Sequence, residues 1–145
     1  MLPWKVLIVD DDPLVLRIVT KRLTRIPGVS MLTSETGEGG LKILEKEKPD
    51  LIILDHLLPD TDGLTLCTTI KGNPELFEIP ILFFSSYGEF GFAHSVETAG
   101  AIKVIPKTEM TELFLSVERL IARAQKAKDQ AAQNLLEKNS PDAKA

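Results

Sequence analysis

The chain has one cysteine, Cys67, and only two histidines, His56 and His94. That excludes an intrachain disulfide and a thiolate metal cluster, and it marks Cys67 as a buried, inert thiol. Long apolar runs are missing too. No stretch nears the ~18 residues that cross a bilayer, so no membrane contact is expected. The start, MLPWK, lacks a basic segment followed by a long apolar one, and the expected location is the cytoplasm. An excess of basic residues is lacking as well: 17 Lys and Arg stand against 21 Asp and Glu, a net charge of -4 that argues against direct nucleic-acid binding. At 145 residues and 43% hydrophobic, the chain fits a single core with some length to spare.

What is present is a repeating unit. The first instance is VLIVDDDP, Val6 to Pro13, a continuous apolar run of the kind found in strands buried on both faces, closed by three aspartates. Pro13 suits the first position of a helix and Asp12 its cap. Leu14, Val15, Ile18, Val19 and Leu23 keep helical spacing until Pro27-Gly28, and Val29 to Thr33 reads as a second strand. A helix over Gly39 to Lys48 leads to a third apolar run, Leu51 to Leu54, which ends in Asp55. The turn formers PDTDG, Pro59 to Gly63, precede a helix from about Leu64 to Lys71. Pro80 to Phe84 is a fourth strand ending in Ser85, Val104-Ile105 a fifth before Lys107, and a last helix begins near Thr108.

Strands alternating with helices through short loops predict a doubly wound α/β domain, a five-stranded parallel sheet covered on both faces. Ligands of such sheets bind beyond the carboxyl ends of the strands. Those ends carry Asp10, Asp11, Asp55, Ser85 and Lys107. If strands one and three are neighbours, three carboxylates converge and repel unless a cation joins them. Mg²⁺ suits an all-oxygen donor set that leaves room for phosphate. An ionised aspartate beside it can attack phosphorus, with Lys107 and Ser85 supplying charge and a hydroxyl to the phosphoryl oxygens.

The set resembles the receiver domain of two-component response regulators, over Lys5 to roughly Arg123. VLIVDDDP resembles the acidic-pair segment, LIILDHLLPDTDG the phosphoacceptor segment, IPILFFSS the switch-hydroxyl segment and GAIKVIPK the lysine segment. The intervals also agree: 44 residues from Asp11 to Asp55, 30 from Asp55 to Ser85 and 52 from Asp55 to Lys107. The resemblance implies a CheY-like, flavodoxin-like strand order 2-1-3-4-5 with an extended C-terminal helix. It implies that Asp55 accepts a phosphoryl group from a sensor histidine kinase or phosphotransfer protein. Asp10, Asp11, Asp55 and the Leu57 backbone carbonyl would bind Mg²⁺, and Ser85 and Lys107 would read the phosphate. Such a chain is a phosphorylation-controlled switch, not a turnover enzyme on an external substrate. Two rival classes share parts of the pattern. A haloacid-dehalogenase-type phosphatase would use Asp10 as nucleophile with Asp12 two residues on, but Leu14 and the absence of a later acidic pair fit it poorly. A flavodoxin-like flavin binder would need a hydroxyl-rich first loop where this chain has aspartates. A receiver that only docks, without phosphate chemistry, is the third alternative.

The chain departs from the family in places. Val104 stands where many receivers have a rotating aromatic, and Thr108 where a proline often follows the lysine, so the Lys107–Thr108 bond is expected to be trans with an altered loop, or a strained cis bond. Leu57 and Tyr87 flank the path of a hydrolytic water in receivers; neither carries the amide or acid of fast members, so a long-lived phosphoryl group is expected. Gly91 is expected inside the first turns of the helix before Gly100, and this segment is expected to change on phosphorylation. His56 is expected at the rim of the site. Leu113, Val117, Leu120, Ala124, Ala127 and Ala131 keep a heptad-like spacing. The division is therefore a receiver over 1–123 and a helical extension with tail over 124–145. That extension is either solvated, a homodimer seam, or a lead into a downstream output domain or protein.

Overall fold

Each short apolar run of the sequence becomes a strand: β1 (Trp4–Val9), β2 (Val29–Ser34), β3 (Leu51–Leu54), β4 (Ile81–Ser85) and β5 (Lys103–Pro106). Helices separate them: α1 (Pro13–Leu23), α2 (Gly37–Lys46), α3 (Gly63–Lys71), α4 (Phe92–Thr98) and α5 (Met110–Lys138). This is a computed structural model, and it describes residues 3–86 and 91–139. All four strand pairings are parallel, in the order β2-β1-β3-β4-β5.

The continuous apolar runs follow from the two-sided core. Successive side chains of a strand point to opposite faces, so a strand covered on both must be apolar throughout. Val6, Ile8, Ile53, Leu82 and Phe84 face α1 and α5, where Val19, Leu23, Leu113 and Val117 meet them. Leu7, Val9, Ile52, Leu54 and Phe83 face the other way, onto Leu44 of α2, Leu66 and Ile70 of α3 and Val96 of α4. Cys67 lies in that second layer as a buried free thiol, and burial pushes its pKa up.

Helix starts are set by side-chain caps. Asp12 accepts from the Leu14 N–H and Pro13 opens α1, as the sequence predicts. α2 begins at Gly37, two residues before the expected Gly39, because the Thr36 hydroxyl caps it by accepting from the Gly39 N–H at 2.9 Å. α4 begins at Phe92, and Gly91 is its flanking residue with φ 87° instead of an interior position. That left-handed conformation is one glycine adopts without strain. The segment 87–90, which includes Tyr87, lies outside the described residues. No peptide bond among the described residues is cis, so the Lys107–Thr108 bond is trans. β5 is an edge strand, which accommodates Pro106.

α5 is the one element that outgrows the sheet. At 1.5 Å per residue its 29 residues span about 43 Å. Leu113 and Val117 are buried, Leu120 and Ala124 are partly buried against the same cluster, and every described residue from Lys126 onward is exposed.

One close approach secures the turn after β3. The Gly63 N–H donates to the His56 carbonyl at 2.6 Å, and a Cβ on Gly63 would collide with the Asp55 carbonyl oxygen and the Phe83 ring. Gly63→Ala is therefore expected to cost roughly 1–3 kcal/mol, the range for overpacked cores. The check is the urea midpoint of unfolding, which should fall with an unchanged slope.

Candidate functional site

Parallel order brings the carboxyl ends of β1, β3, β4 and β5 to one edge of the sheet. Asp10 follows β1 and donates its N–H to the Ser34 carbonyl; Asp55 follows β3 and donates its N–H to the Val9 carbonyl. Backbone pairing thus runs one residue past each strand and locks both side chains side by side. Asp10 is 1% exposed and Asp55 6%. Asp11, between Asp10 and the cap residue Asp12, is exposed.

Lys107 crosses the site from the end of β5. Its ammonium lies 2.8 Å from an oxygen of Asp10 and 2.8 Å from an oxygen of Asp55. The remaining oxygens are also engaged, Asp10 Oδ1 by the Asp12 N–H at 2.9 Å and Asp55 Oδ1 by the His56 N–H at 2.7 Å. Two buried carboxylates share one ammonium, so the triad holds more negative than positive charge.

The electrostatics follow from depth. Burial pushes the Asp10 carboxyl above the usual carboxylate range, more than its bonds to Lys107 and to the Asp12 N–H pull it down. Burial would lower the Lys107 pKa, but its bonds to Asp10 and Asp55 outweigh that and raise it above the usual lysine value. Ser85, at the end of β4, is buried at 2% exposure, and its carbonyl accepts from the Lys107 N–H at 3.2 Å. Leu57 pairs with Asp62 in an isolated antiparallel bridge, and its side chain is 60% exposed.

Asp10, Asp11 and Asp55 each present an oxygen, and these atoms lie within 4.8 Å of one another. Three hard oxygen donors at that spacing fit a small divalent cation with room for water. The sequence-predicted residues Asp10, Asp11, Asp55 and Lys107 are thus brought together, with Ser85 on the adjoining strand and Leu57 on the turn beyond Asp55. Val104 pairs with Phe83 and packs, partly buried, on the α3–α4 layer. An aromatic contact forms instead at His56, the residue after Asp55 in the chain. The His56 ring lies 4.7 Å from that of Phe92, the first residue of α4, and Phe92 meets Phe83 edge-on at 6.0 Å. Position in the sequence next to Asp55 suggests the rim for His56, but its contact with α4 needs the tertiary structure.

In the sequence, Asp60 reads as a turn former within PDTDG. Its carboxylate accepts from the Gly37 N–H at 2.9 Å and the Glu38 N–H at 2.8 Å, joining the turn after β3 to the start of α2. With α2 expected from Gly39, no signal pointed to these two amides.

This fold with this edge defines a class. The model of the response regulator receiver domain matches residues 6–118, and the chain belongs to that family. Receivers are phosphorylation-controlled signalling domains of two-component systems. Among its relatives, the transcriptional regulatory protein GlrR of Escherichia coli K12 is 29% identical over 96% of this chain and 31% of its own length. The heme response regulator HssR of Staphylococcus aureus Newman is 28% identical over 81% of this chain and 51% of its own. A solved protein of Chloroflexus aurantiacus J-10-fl, assigned to the response regulators, superposes with a TM-score of 0.74 at 33% identity, covering 83% of this chain and 98% of that one. The chain spans about a third to a half of the length of these curated relatives. No helix among the described residues is long and apolar enough to cross a membrane.

The raised Asp10 pKa carries a stability consequence. A carboxyl whose folded-state pKa lies above its ordinary 3.8 adds stability at low pH that is lost as pH rises through the folded value. At pH 7 its charge is a net cost to the metal-free fold. Asp10→Asn is expected to raise the metal-free melting temperature at pH 7. The gain should fade toward pH 3.5, where the wild-type group is itself protonated; calorimetry at both pH values checks this.

Proposed function

We propose that Asp55 is the phosphoacceptor of this receiver and that a phosphorylated histidine of a sensor kinase or phosphotransfer protein is the donor. The observation that supports it best is the Asp55 carboxylate itself, nearly buried, aimed by the His56 N–H and bonded to the Lys107 ammonium. In the transfer, an Asp55 oxygen forms a bond to phosphorus while the phosphorus–nitrogen bond of the donor breaks. The electron pair leaves on the imidazole nitrogen, which then takes up a proton. Lys107 moves with the new negative charge, exchanging a carboxylate oxygen for a phosphoryl oxygen. Ser85, on the adjoining strand end, supplies a hydroxyl to another phosphoryl oxygen.

Asp10, Asp11 and Asp55, with the Leu57 backbone carbonyl, are the proposed Mg²⁺ ligands. When bound, Mg²⁺ would neutralise charge on the phosphoryl oxygens as the bond to phosphorus forms. In this reading the domain is a phosphorylation-controlled switch, not a turnover enzyme on an external substrate. The cytoplasm, where kinase phosphotransfer takes place, is the proposed location. The contact between His56 and Phe92 supports a route from the acceptor to α4 that does not need an aromatic at Val104.

Asp55→Asn keeps the shape and removes the attacking oxyanion, so incubation with acetyl phosphate and Mg²⁺ should add phosphate to the wild type and none to the variant. Full incorporation into Asp55→Asn would refute the assignment.

The carboxyl half of α5 supports a second, weaker role. Leu113 and Val117 are spent on the domain's own core, which leaves Ala127 and Ala131 of the heptad-like stripe exposed, with Leu135 and Leu136 beyond them at 59% and 69% exposure. We assign residues 124–145 to an extension that pairs weakly with a second copy, or leads to an output module in a longer protein. Truncation after Arg123 should leave a folded monomer. Sedimentation should show concentration-dependent dimer for the full chain alone, and equal masses for both would leave α5 a solvated helix.

A further inference from the structure

The turn from His56 to Asp62 is held from within by several bonds. The Leu58 N–H donates to the Thr61 carbonyl at 3.2 Å, Leu57 bridges to Asp62, and Asp62 caps α3 by accepting from the Thr65 N–H at 2.8 Å. At its inner end the His56 N–H holds Asp55 Oδ1. A turn bonded in this way moves as a unit, so whatever fixes its tip also fixes the backbone of Leu57 beside the acceptor.

The tip is fixed by Asp60. Its two oxygens accept from two of the amides at the start of α2 that have no partner within the helix. Those bonds, the Glu38 one foremost, hold the Asp60 carboxyl below the usual carboxylate range, and it carries full charge at neutral pH. The helix does not depend on Asp60 for a cap of its own, because Thr36 already provides one. A second contact reinforces the join: Gly37 lies so close to Thr61 that a Cβ there would collide with the Thr61 methyl group. A remote carboxylate added to a helix that is already capped has the form of a tie between two elements.

We propose that Asp60 is a positioning residue for the phosphoryl site, tying the turn after β3 to the start of α2 and so holding the Leu57 backbone where the carboxylates can share a cation with it. The inference rests on the reading of Asp10, Asp11, Asp55 and Leu57 as Mg²⁺ ligands. Coupling of this kind is reciprocal: if the tie favours cation binding, cation binding must tighten the tie. The start of α2 therefore senses occupancy of a site it does not line.

The test uses the full chain in four forms: wild type, Asp60→Ala, Asp60→Asn and Thr36→Val. Mg²⁺ alone is titrated by calorimetry, and amide exchange at Gly37 and Glu38 is followed without and with Mg²⁺ plus beryllofluoride as a phosphoryl mimic. Asp60→Ala should weaken Mg²⁺ binding about tenfold, within the usual range of coupling between sites. Asp60→Asn, which keeps one acceptor, should fall between it and the wild type. Thr36→Val removes a cap without releasing the turn, and should lower the melting temperature while leaving Mg²⁺ affinity unchanged. Exchange at the two amides should slow on occupancy in the wild type and not respond in Asp60→Ala. Equal weakening by Thr36→Val and Asp60→Ala, or none by Asp60→Ala, would overturn the positioning role alone. A wild type that takes up no Mg²⁺ would overturn the metal reading and this inference with it.

Discussion

The bond from one ammonium to two buried carboxylates is the constraint around which this molecule is organised. Lys107 stands 2.8 Å from both Asp10 and Asp55, and the three residues come from the ends of three strands. A parallel sheet with β1 next to β3, and β5 at the edge beyond β4, brings those ends together. Burying two carboxylates without a cation would cost several kcal/mol per ion. The apolar strands, the caps at Asp12 and Asp62, and the short loops all serve to hold that edge in place.

The same bond explains how the site is poised. Asp10 is held where its ionised form is disfavoured, and Lys107 offsets only part of that cost. A site that needs more positive charge than its own residues supply favours a divalent cation. A site whose lysine already bridges the acceptor can pass it to a phosphoryl oxygen with little motion. The fold thus carries local instability at one edge and offsets it with two fully apolar layers, the usual arrangement where function and stability compete.

Much of this was legible in the sequence because buried parallel strands leave a strong mark. LIIL and VLIV are apolar without alternation, and the polar residues that end them are where such folds bind ligands. The Asp12-Pro13 pair marked the start of α1 to the residue. Other features were not legible, for physical reasons. The start of α2 moved because Thr36 caps it before its helical periodicity begins, and that hid the amides held by Asp60. Gly91 looks like an interior glycine until its φ of 87° shows it outside α4. The stripe along α5 is continuous in spacing, yet Leu113 and Val117 are buried while Ala127 and Ala131 are exposed, because periodicity does not record where the sheet ends.

The most direct measurement is the chemical identity of the modified residue. After incubation with acetyl phosphate and Mg²⁺, an aspartyl phosphate can be reduced with tritiated borohydride, which cleaves the acyl–oxygen bond to phosphate and converts that aspartate to labelled homoserine. Sequencing of the labelled peptide should place all of the tritium at position 55, within LIILDHLLPDTDG. Tritium at position 10 or 11, or a wild-type protein that takes no label while its fold is intact, would contradict the assignment of Asp55 as the acceptor.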